Sequence, residues 1–335
     1  MKPTKITQSV YLIVVLSFFI QSCSVDEKKR SAFDSSGGTL ELLVVTDNSE
    51  QWNSPVGDSI RAFFGQIRTT MPQAEPRFTM ANLEKNGLSK MFKPHHNILI
   101  ITFDRNRDEP LIETKRDLWA KPQRVIKMTI PSEESFFQEF SKYKESFMQM
   151  YMRVELERTT KTHITALERS ISNKLVKDYQ LSLVVPAGFK IAVQQKNFVW
   201  IRREAQYFSQ GIIVYFEDYL DTNQFNPDYI LKLRNSTVEK YIPGPKKGSY
   251  MSTSVSVIEP TYERIDFNGQ FAVETRGLWE TKGDFMGGPF VSYTMVDDAR
   301  NRVVTIEGYV YYPNKKKSIL LHQVDAICHS IKFDD

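Results

Sequence analysis

The apolar positions change rhythm along the chain, and each change marks out a part. Leu42, Leu43, Val44 and Val45 form a continuous run, as in a strand buried on both faces, and predict a strand over Glu41 to Thr46. Ser54 and Pro55 then supply a cap and a proline suited to a first helical turn, and Ile60, Phe63, Phe64 and Ile67 repeat at +3, +4 and +7. Pro72 ends that helix. An amphipathic piece around Leu83 to Phe92 reads as a second helix, and the apolar run Asn97 to Phe103 as the strand after it. The first hundred residues therefore read as strand, helix, short strand, helix, strand, a βαβ-like pattern. Arg124 to Ile130 adds a further strand.

From Ser132 to Val185 no glycine or proline intervenes, and Phe136, Phe140, Tyr143, Phe147, Tyr151 and Val154 alternate in steps of four and three. The stripe lapses near Thr159 to Thr162 and resumes at Ile164, Leu167, Ile171 and Leu175. Unbroken, such a helix would run roughly 60 Å or more, so a long kinked helix or a helix pair is expected. Beyond Pro186 the texture is one of strands and turns: Phe189 to Gln194, Phe198 to Arg203, Ile212 to Phe216, Met251 to Ile258, Tyr262 to Phe267, Gln270 to Trp279, Phe290 to Val296 and Val303 to Tyr312. Asn268-Gly269 carries the signature of a two-residue hairpin, and Asp298 to Asn301 makes another turn. Asn226-Pro227 opens a helix, and Leu320, Val324, Ile327 and Ile331 recur at helical spacing near the C-terminus. The predicted class is α+β: an N-terminal α/β part over residues 40–131, a long helical segment over 132–180, and an antiparallel C-terminal part with flanking helices over 181–335.

The N-terminus follows a different logic. Lys2 and Lys5 precede a short apolar run from Val10 to Ile20, shorter than the ~20 residues a spanning helix needs. Ser22-Cys23 follows it as a lipoprotein cleavage site would. Residues 1–22 thus read as a lipoprotein signal peptide and Cys23 as a lipidated first residue, with palmitate among its expected acyl groups. The polar, Gly/Ser-rich stretch 23–39 reads as a tether. The expectation is an outer-membrane-anchored lipoprotein on the periplasmic face or the cell surface.

Charge narrows the partners. There are 44 Lys and Arg against 40 Asp and Glu, and losing Lys2 and Lys5 halves that excess, so nucleic acid is not expected as a partner. With Cys23 committed to lipid, Cys328 stands alone; its place on an apolar helical stripe predicts an inert, buried thiol.

Candidate chemistry is sparse. Asp47 and Asp104 each follow a buried strand; were those strands parallel neighbours, both carboxylates would sit at the carboxyl edge of the sheet and could divide acid and base roles, although capping a turn is the commoner use of such residues. Asp104, Asn106 and Asp108 start like a calcium loop, but Glu109 and Lys115 occupy its glycine and glutamate positions. His95-His96 and the scattered His163, His322 and His329 show no zinc spacing, and a surface or packing role is expected for all five; no metal or cofactor is predicted. Gly-x-Ser-x-Gly, His-Glu-x-x-His, P-loop and dinucleotide fingerprints do not occur. The most unusual composition lies in two segments. Residues 276–290 set Trp279, Phe285 and Met286 among glycines, and residues 241–251 place Lys246 and Lys247 on a Pro/Gly loop. Together they are the predicted interaction surface.

Trp52-Asn53-x-Pro55-x-Gly57-Asp58, Tyr241 to Pro245 with Gly248 to Met251, and Arg276 to Trp279 with Met286 to Phe290, together with the cleavage site, resemble a family of Bacteroidetes lipoproteins classed only as a domain of unknown function. The resemblance implies an envelope location and no activity. The expected function is a membrane-anchored, non-catalytic binding or interaction module with an envelope protein or glycan as partner. An enzyme working through Asp47 and Asp104, or a small-ligand carrier, is the alternative.

Overall fold

The computed structural model describes residues 33–334, so the signal segment and Cys23 lie outside the described residues. From Asp34 onward the chain forms one unit built on two principal sheets. The first has five strands: β1 (Glu41–Thr46), β2 (Thr79–Glu84), β3 (Asn97–Phe103), β4 (Leu111–Arg116) and β5 (Arg124–Ile130), in the order β2-β1-β3-β5-β4. The pairs β1–β2, β1–β3 and β3–β5 are parallel, and β4 adds an antiparallel edge. Helix α1 (Pro55–Phe64) starts as its sequence dictates, with Ser54 Oγ accepting from the Val56 amide and Pro55 in the first turn. Its Val56, Ile60 and Phe64 pack with Leu42, Val44, Leu99 and Ile126 on one face of this sheet.

Helix α2 (Glu133–Thr165) is capped by Ser132 and lays Phe136, Phe140, Phe147, Met148 and Tyr151 into the same core. The long helical stretch is a helix pair: α2 ends at Thr165, and α3 (Arg169–Tyr179) follows. The apolar lapse at Thr159 to Thr162 does not break the helix; there α2 leaves the first sheet and its sides become half-exposed, before His163 is buried again.

The second sheet is antiparallel throughout. Its strands are β6 (Lys190–Gln195), β7 (Phe198–Glu204), β8 (Ser209–Asp218), β9 (Tyr250–Thr253), β10 (Thr261–Phe267), β11 (Gln270–Lys282), β12 (Gly287–Asp297) and β13 (Arg302–Tyr311), ordered β9-β11-β12-β13-β8-β7-β6 with β10 also on β11. Alternation along β7 shows the two faces. Val199 and Ile201 join the cluster under α3 and α5 (Ser318–His329), whereas Phe198 and Trp200 face α4 (Pro227–Tyr241). Helix α5 lies close to the sheet because Gly308 faces it: a Cβ there would come within 2.9 Å of Val324. Cys328 is fully buried on α5, and burial pushes its thiol pKa well up, as expected for an inert group. Asn268 and Gly269 both have positive φ, 56° and 89°, at the tight turn joining β10 to β11.

Two stretches depart from the sequence reading. Residues 83–92 are not a helix: Leu83 and Glu84 end β2, a single 3₁₀ turn spans Lys85–Gly87, and Met91 is 76% exposed. Met251 to Ile258 forms a strand only as far as Thr253.

The two sheets are joined by a carboxylate. Glu75, 2% exposed, lies on the loop between α1 and β2 and accepts from the amides of Lys317 and Ser318 at 2.7 and 2.9 Å. It thereby satisfies the orphan N–H groups where α5 begins, placing negative charge at the positive end of the helix dipole.

Candidate functional site

The segments 241–251 and 276–290 lie side by side. Strand β9 pairs with the end of β11, Tyr250 opposite Lys282, and Met251 donates its amide to Ile242 O at 3.0 Å. Lys246 sits 3.1 Å from Asp284 and 5.3 Å from the centre of the Phe285 ring. Behind this contact the two segments wall a pocket of about 380 Å³. Pro243, Pro245 and Met251 come from the first, Trp279, Thr281 and Met286 from the second, and the adjoining strands add Trp200, Arg202, Glu204, Ser209 and Tyr309.

Glycines let the aromatic floor lie flat. Gly211 stands opposite Tyr309 in register, and a Cβ on it would fall 2.1 Å from the Tyr309 ring. Gly288 stands opposite Trp279, with Trp279 Nε1 only 3.2 Å from where its Cβ would be. The rings are then locked by hydrogen bonds: Trp200 Nε1 donates to Tyr309 Oη at 2.9 Å, and Trp279 Nε1 donates to Val310 O at 3.1 Å. Trp279 and Tyr309 meet edge to face, with centroids 5.4 Å apart. Burial pushes the Tyr309 hydroxyl well above its usual pKa, against the effect of the Trp200 donor, so it stays neutral. Both indole N–H groups are spent inside the protein, and what they leave for a ligand is ring face and edge. At the rim Arg202 pairs with Glu204 and stacks its guanidinium over Trp200, 5.0 Å from the ring centre.

Trp279 was expected on the surface, and the structure corrects this. It is 3% exposed because the unshielded backbone at Gly288 lets its indole fold down across the neighbouring strand. It contributes a wall to the pocket from within the core. Phe285, by contrast, is 99% exposed at the tip of the β11–β12 hairpin, Met286 is half-buried beside it, and Lys246 and Lys247 are exposed. Replacing Trp279 with alanine is accordingly expected to cost about 3–5 kcal/mol, as for other buried aromatics. Phe285→Ala should leave the denaturation midpoint unchanged; equal losses for the two variants would contradict this placement.

The strands carrying Asp47 and Asp104 are parallel neighbours, so both residues do reach one sheet edge. Their carboxylates, however, serve the backbone. Asp47 Oδ2 accepts from the Phe103 amide at 2.8 Å, with Lys85 Nζ 3.7 Å from its other oxygen, and Asp104 Oδ1 accepts from the Asn106 amide at 3.2 Å. Asp104 thus caps its own turn, while Asp47 ties the end of its strand to the neighbouring strand β3.

The histidines are packing residues. His95 and His96 are buried and stacked at 4.7 Å. His96 Nδ1 lies 2.6 Å from Ser36 O and its Nε2 pairs with Glu155 on α2. Glu155, wholly buried, also accepts from Leu40 N at 2.9 Å and Asn97 Nδ2 at 2.7 Å. On α5, His329 Nε2 lies 3.1 Å from Tyr293 Oη, which donates to Asp325 at 2.6 Å. Among the described residues no group of three or more His, Cys, Asp or Glu is placed to hold a metal ion.

Sequence reasoning missed Trp200, Tyr309 and Ser209. The available signal was the pairing of strand glycines with strand aromatics, which becomes visible only once the register is known.

Residues 35–163 match the model of one domain of unknown function (DUF8532), and residues 168–330 match that of another (DUF4837). The junction between the two matches, residues 164–167, covers the end of α2 and the start of the connection to α3. No curated protein matches the chain. Among solved structures, the chain is similar to a mutant of the protein Mog1 (13% identity, TM-score 0.29, covering 47% of this chain and 92% of that one). It is also similar to the Ran-binding protein Mog1p of Saccharomyces cerevisiae (11% identity, TM-score 0.29, covering 47% and 91%).

Proposed function

We propose that this chain is a lipid-anchored binding module of the bacterial cell envelope, held by Cys23, with the pocket between segments 241–251 and 276–290 as its binding site. The observation that carries the reading is the composition of the pocket. Two tryptophans, a tyrosine and two methionines present ring and thioether surface, and the polar atoms of the aromatics are already paired within the fold. Such a surface binds by contact and desolvation. The charged groups at its mouth, Arg202 and Glu204, are paired with each other rather than arranged as nucleophile and base. An apolar or ring-bearing portion of an envelope molecule suits it, whether displayed by a protein or by a glycan. The alternative of an enzyme using Asp47 and Asp104 has against it the main-chain hydrogen bond that each carboxylate already accepts through one oxygen.

The test fills the pocket instead of truncating the core. Ser209 is half-buried and lines the mouth, so Ser209→Phe should occupy the cavity with little change in denaturation midpoint. In cells, a photocrosslinking residue at position 286 should capture an envelope component, and Ser209→Phe should abolish that capture. Capture that survives the filled pocket would refute the assignment of the site. An alkyne analogue of palmitate should label the wild type and not Cys23→Ser; equal labelling would refute the anchor.

A further inference from the structure

The registers place several connections at one end of the antiparallel sheet. Glu204 pairs with Ser209, Ser209 with Tyr311, Tyr309 with Phe290, Glu280 with Gly287 and Lys282 with Tyr250. Residues 205–208, 242–249, 283–286 and 312–317 are therefore neighbours, and the pocket opens among them. The described chain begins at this end too. Asp34 pairs with Lys161 in the last turns of α2; just beyond that helix, Ala166 O accepts from the Ala187 amide at 2.6 Å, in the segment leading into β6 at the same end.

Charge separates this end from the other. These four connections expose Lys246, Lys247, Lys315 and Lys316 against Asp284, while Lys317 is buried with its ammonium bonded to Gln73 and Lys315 O. The turns at the far end, residues 196–197, 219–226, 268–269 and 298–301, carry Asp221 and Asp298 against Lys196 and Arg300, a balanced set. Nearly balanced overall, the protein is thus polarised along its sheet. The basic end also presents apolar tips: Phe285 is 99% exposed, Tyr207 68% and Ile164 56%. Leu220 is exposed at the far end, 77%, but it stands among turns that carry no net positive charge.

From these placements we infer that the end bearing Phe285, Lys246, Lys247, Lys315 and Lys316 docks on an anionic lipid bilayer. The inference rests on the lipid anchor proposed above, and two observations choose the occupant. Asp34 lies eleven positions after Cys23, a reach of at most roughly 40 Å, so the end where the chain emerges stays close to the lipid surface. Exposed lysines beside an exposed aromatic also match a bilayer interface: the ammonium groups meet lipid phosphates and the ring enters the headgroup layer, whereas the balanced far end offers anionic lipid no net attraction. Docked this way, the pocket opens toward the lipid surface, which makes an amphiphile presented by that surface its accessible ligand.

The test reconstitutes the full-length lipidated protein into vesicles of phosphatidylethanolamine with phosphatidylglycerol. A nitroxide is placed by Phe285→Cys at the basic end or by Leu220→Cys at the far end. Cys328 is buried and Cys23 is blocked by lipid, so labelling is confined to the new thiol. The label at 285 should collide several-fold more with oxygen and several-fold less with a water-soluble nickel chelate than the label at 220. Lys246→Glu combined with Lys247→Glu, or replacement of phosphatidylglycerol by phosphatidylcholine, should erase the difference. Equal collision profiles at 285 and 220 in protein that floats with the vesicles would overturn docking while leaving the anchor intact. Protein that does not float would overturn the anchor reading, and docking with it.

Discussion

Arg234→Met alone should cost the fold about 3–5 kcal/mol, the range for breaking a buried ion pair by removing one partner. Arg234 is 1% exposed on α4 and meets Glu307 of β13, 0% exposed, through two bonds of 2.7 Å. Its third donor reaches Thr253 Oγ1 on β9 at 2.8 Å, and its guanidinium lies 4.0 Å from the centre of the Phe290 ring. Removing the guanidinium leaves Glu307 buried as an uncompensated carboxylate, whereas Arg234→Met with Glu307→Leu removes both charges and should recover most of the loss. Thr253 also draws on Asn235 Oδ1 at 2.7 and 3.0 Å, so this network fixes β9, one of the pocket walls, to the sheet. The single variant should therefore loosen the pocket as well as lower the denaturation midpoint. A double variant no more stable than Arg234→Met would show that packing, rather than charge, dominates at this position.

The same pair shows where sequence reading reaches its limit. The strands and turns of the second sheet were legible because alternation and the Asn268-Gly269 turn are local signals, and Cys328 was legible because its helical stripe is local too. Arg234 and Glu155 were not. A charged residue on an amphipathic helix reads as solvated, and the groups that bury it, Glu307 for one and Asn97, Leu40 and His96 for the other, are distant in the chain. The misread helix at residues 83–92 has the converse cause. Leu83, Leu88, Met91 and Phe92 suggested one apolar face, but Leu83 belongs to a strand and Met91 points to solvent. At the site, segments 241–251 and 276–290 stood out by their glycines and prolines. That composition could not show that Gly288 exists to let Trp279 lie down rather than to hold it out.

Acidification should destabilise the protein well above the range in which carboxylates titrate, and His163 is the main reason. Buried at the end of α2, with His322 and Arg203 facing it, it has its pKa lowered to about 4 by burial first and by those two neighbours second. His95, His322 and His329 are also lowered, in each case chiefly by burial. A histidine whose folded pKa lies below its unfolded value of ~6.5 binds fewer protons in the native state, so its contribution to stability is whole above that value and is lost as pH falls toward the folded pKa. For His163 alone the linkage amounts to about 2 kcal/mol between pH 8 and pH 5. The carboxylates of Glu155 and Asp325 extend the loss to lower pH. Burial pushes both upward, but His96, Leu40 and Arg158 around Glu155, and Arg276, His329 and Tyr293 around Asp325, hold their pKa values below the usual range, so the stability they contribute is present near neutrality and disappears on protonation. Chemical denaturation across pH 8 to 5 should show a steady fall in unfolding free energy, and His163→Leu should flatten it by about the amount given. The Nδ1 of His163 is buried without a hydrogen-bond partner among the described residues, so leucine at this position sacrifices no bond of that atom. A slope unchanged in His163→Leu would mean that the ring is not held neutral, and that the junction between α2 and α5 tolerates a charge there.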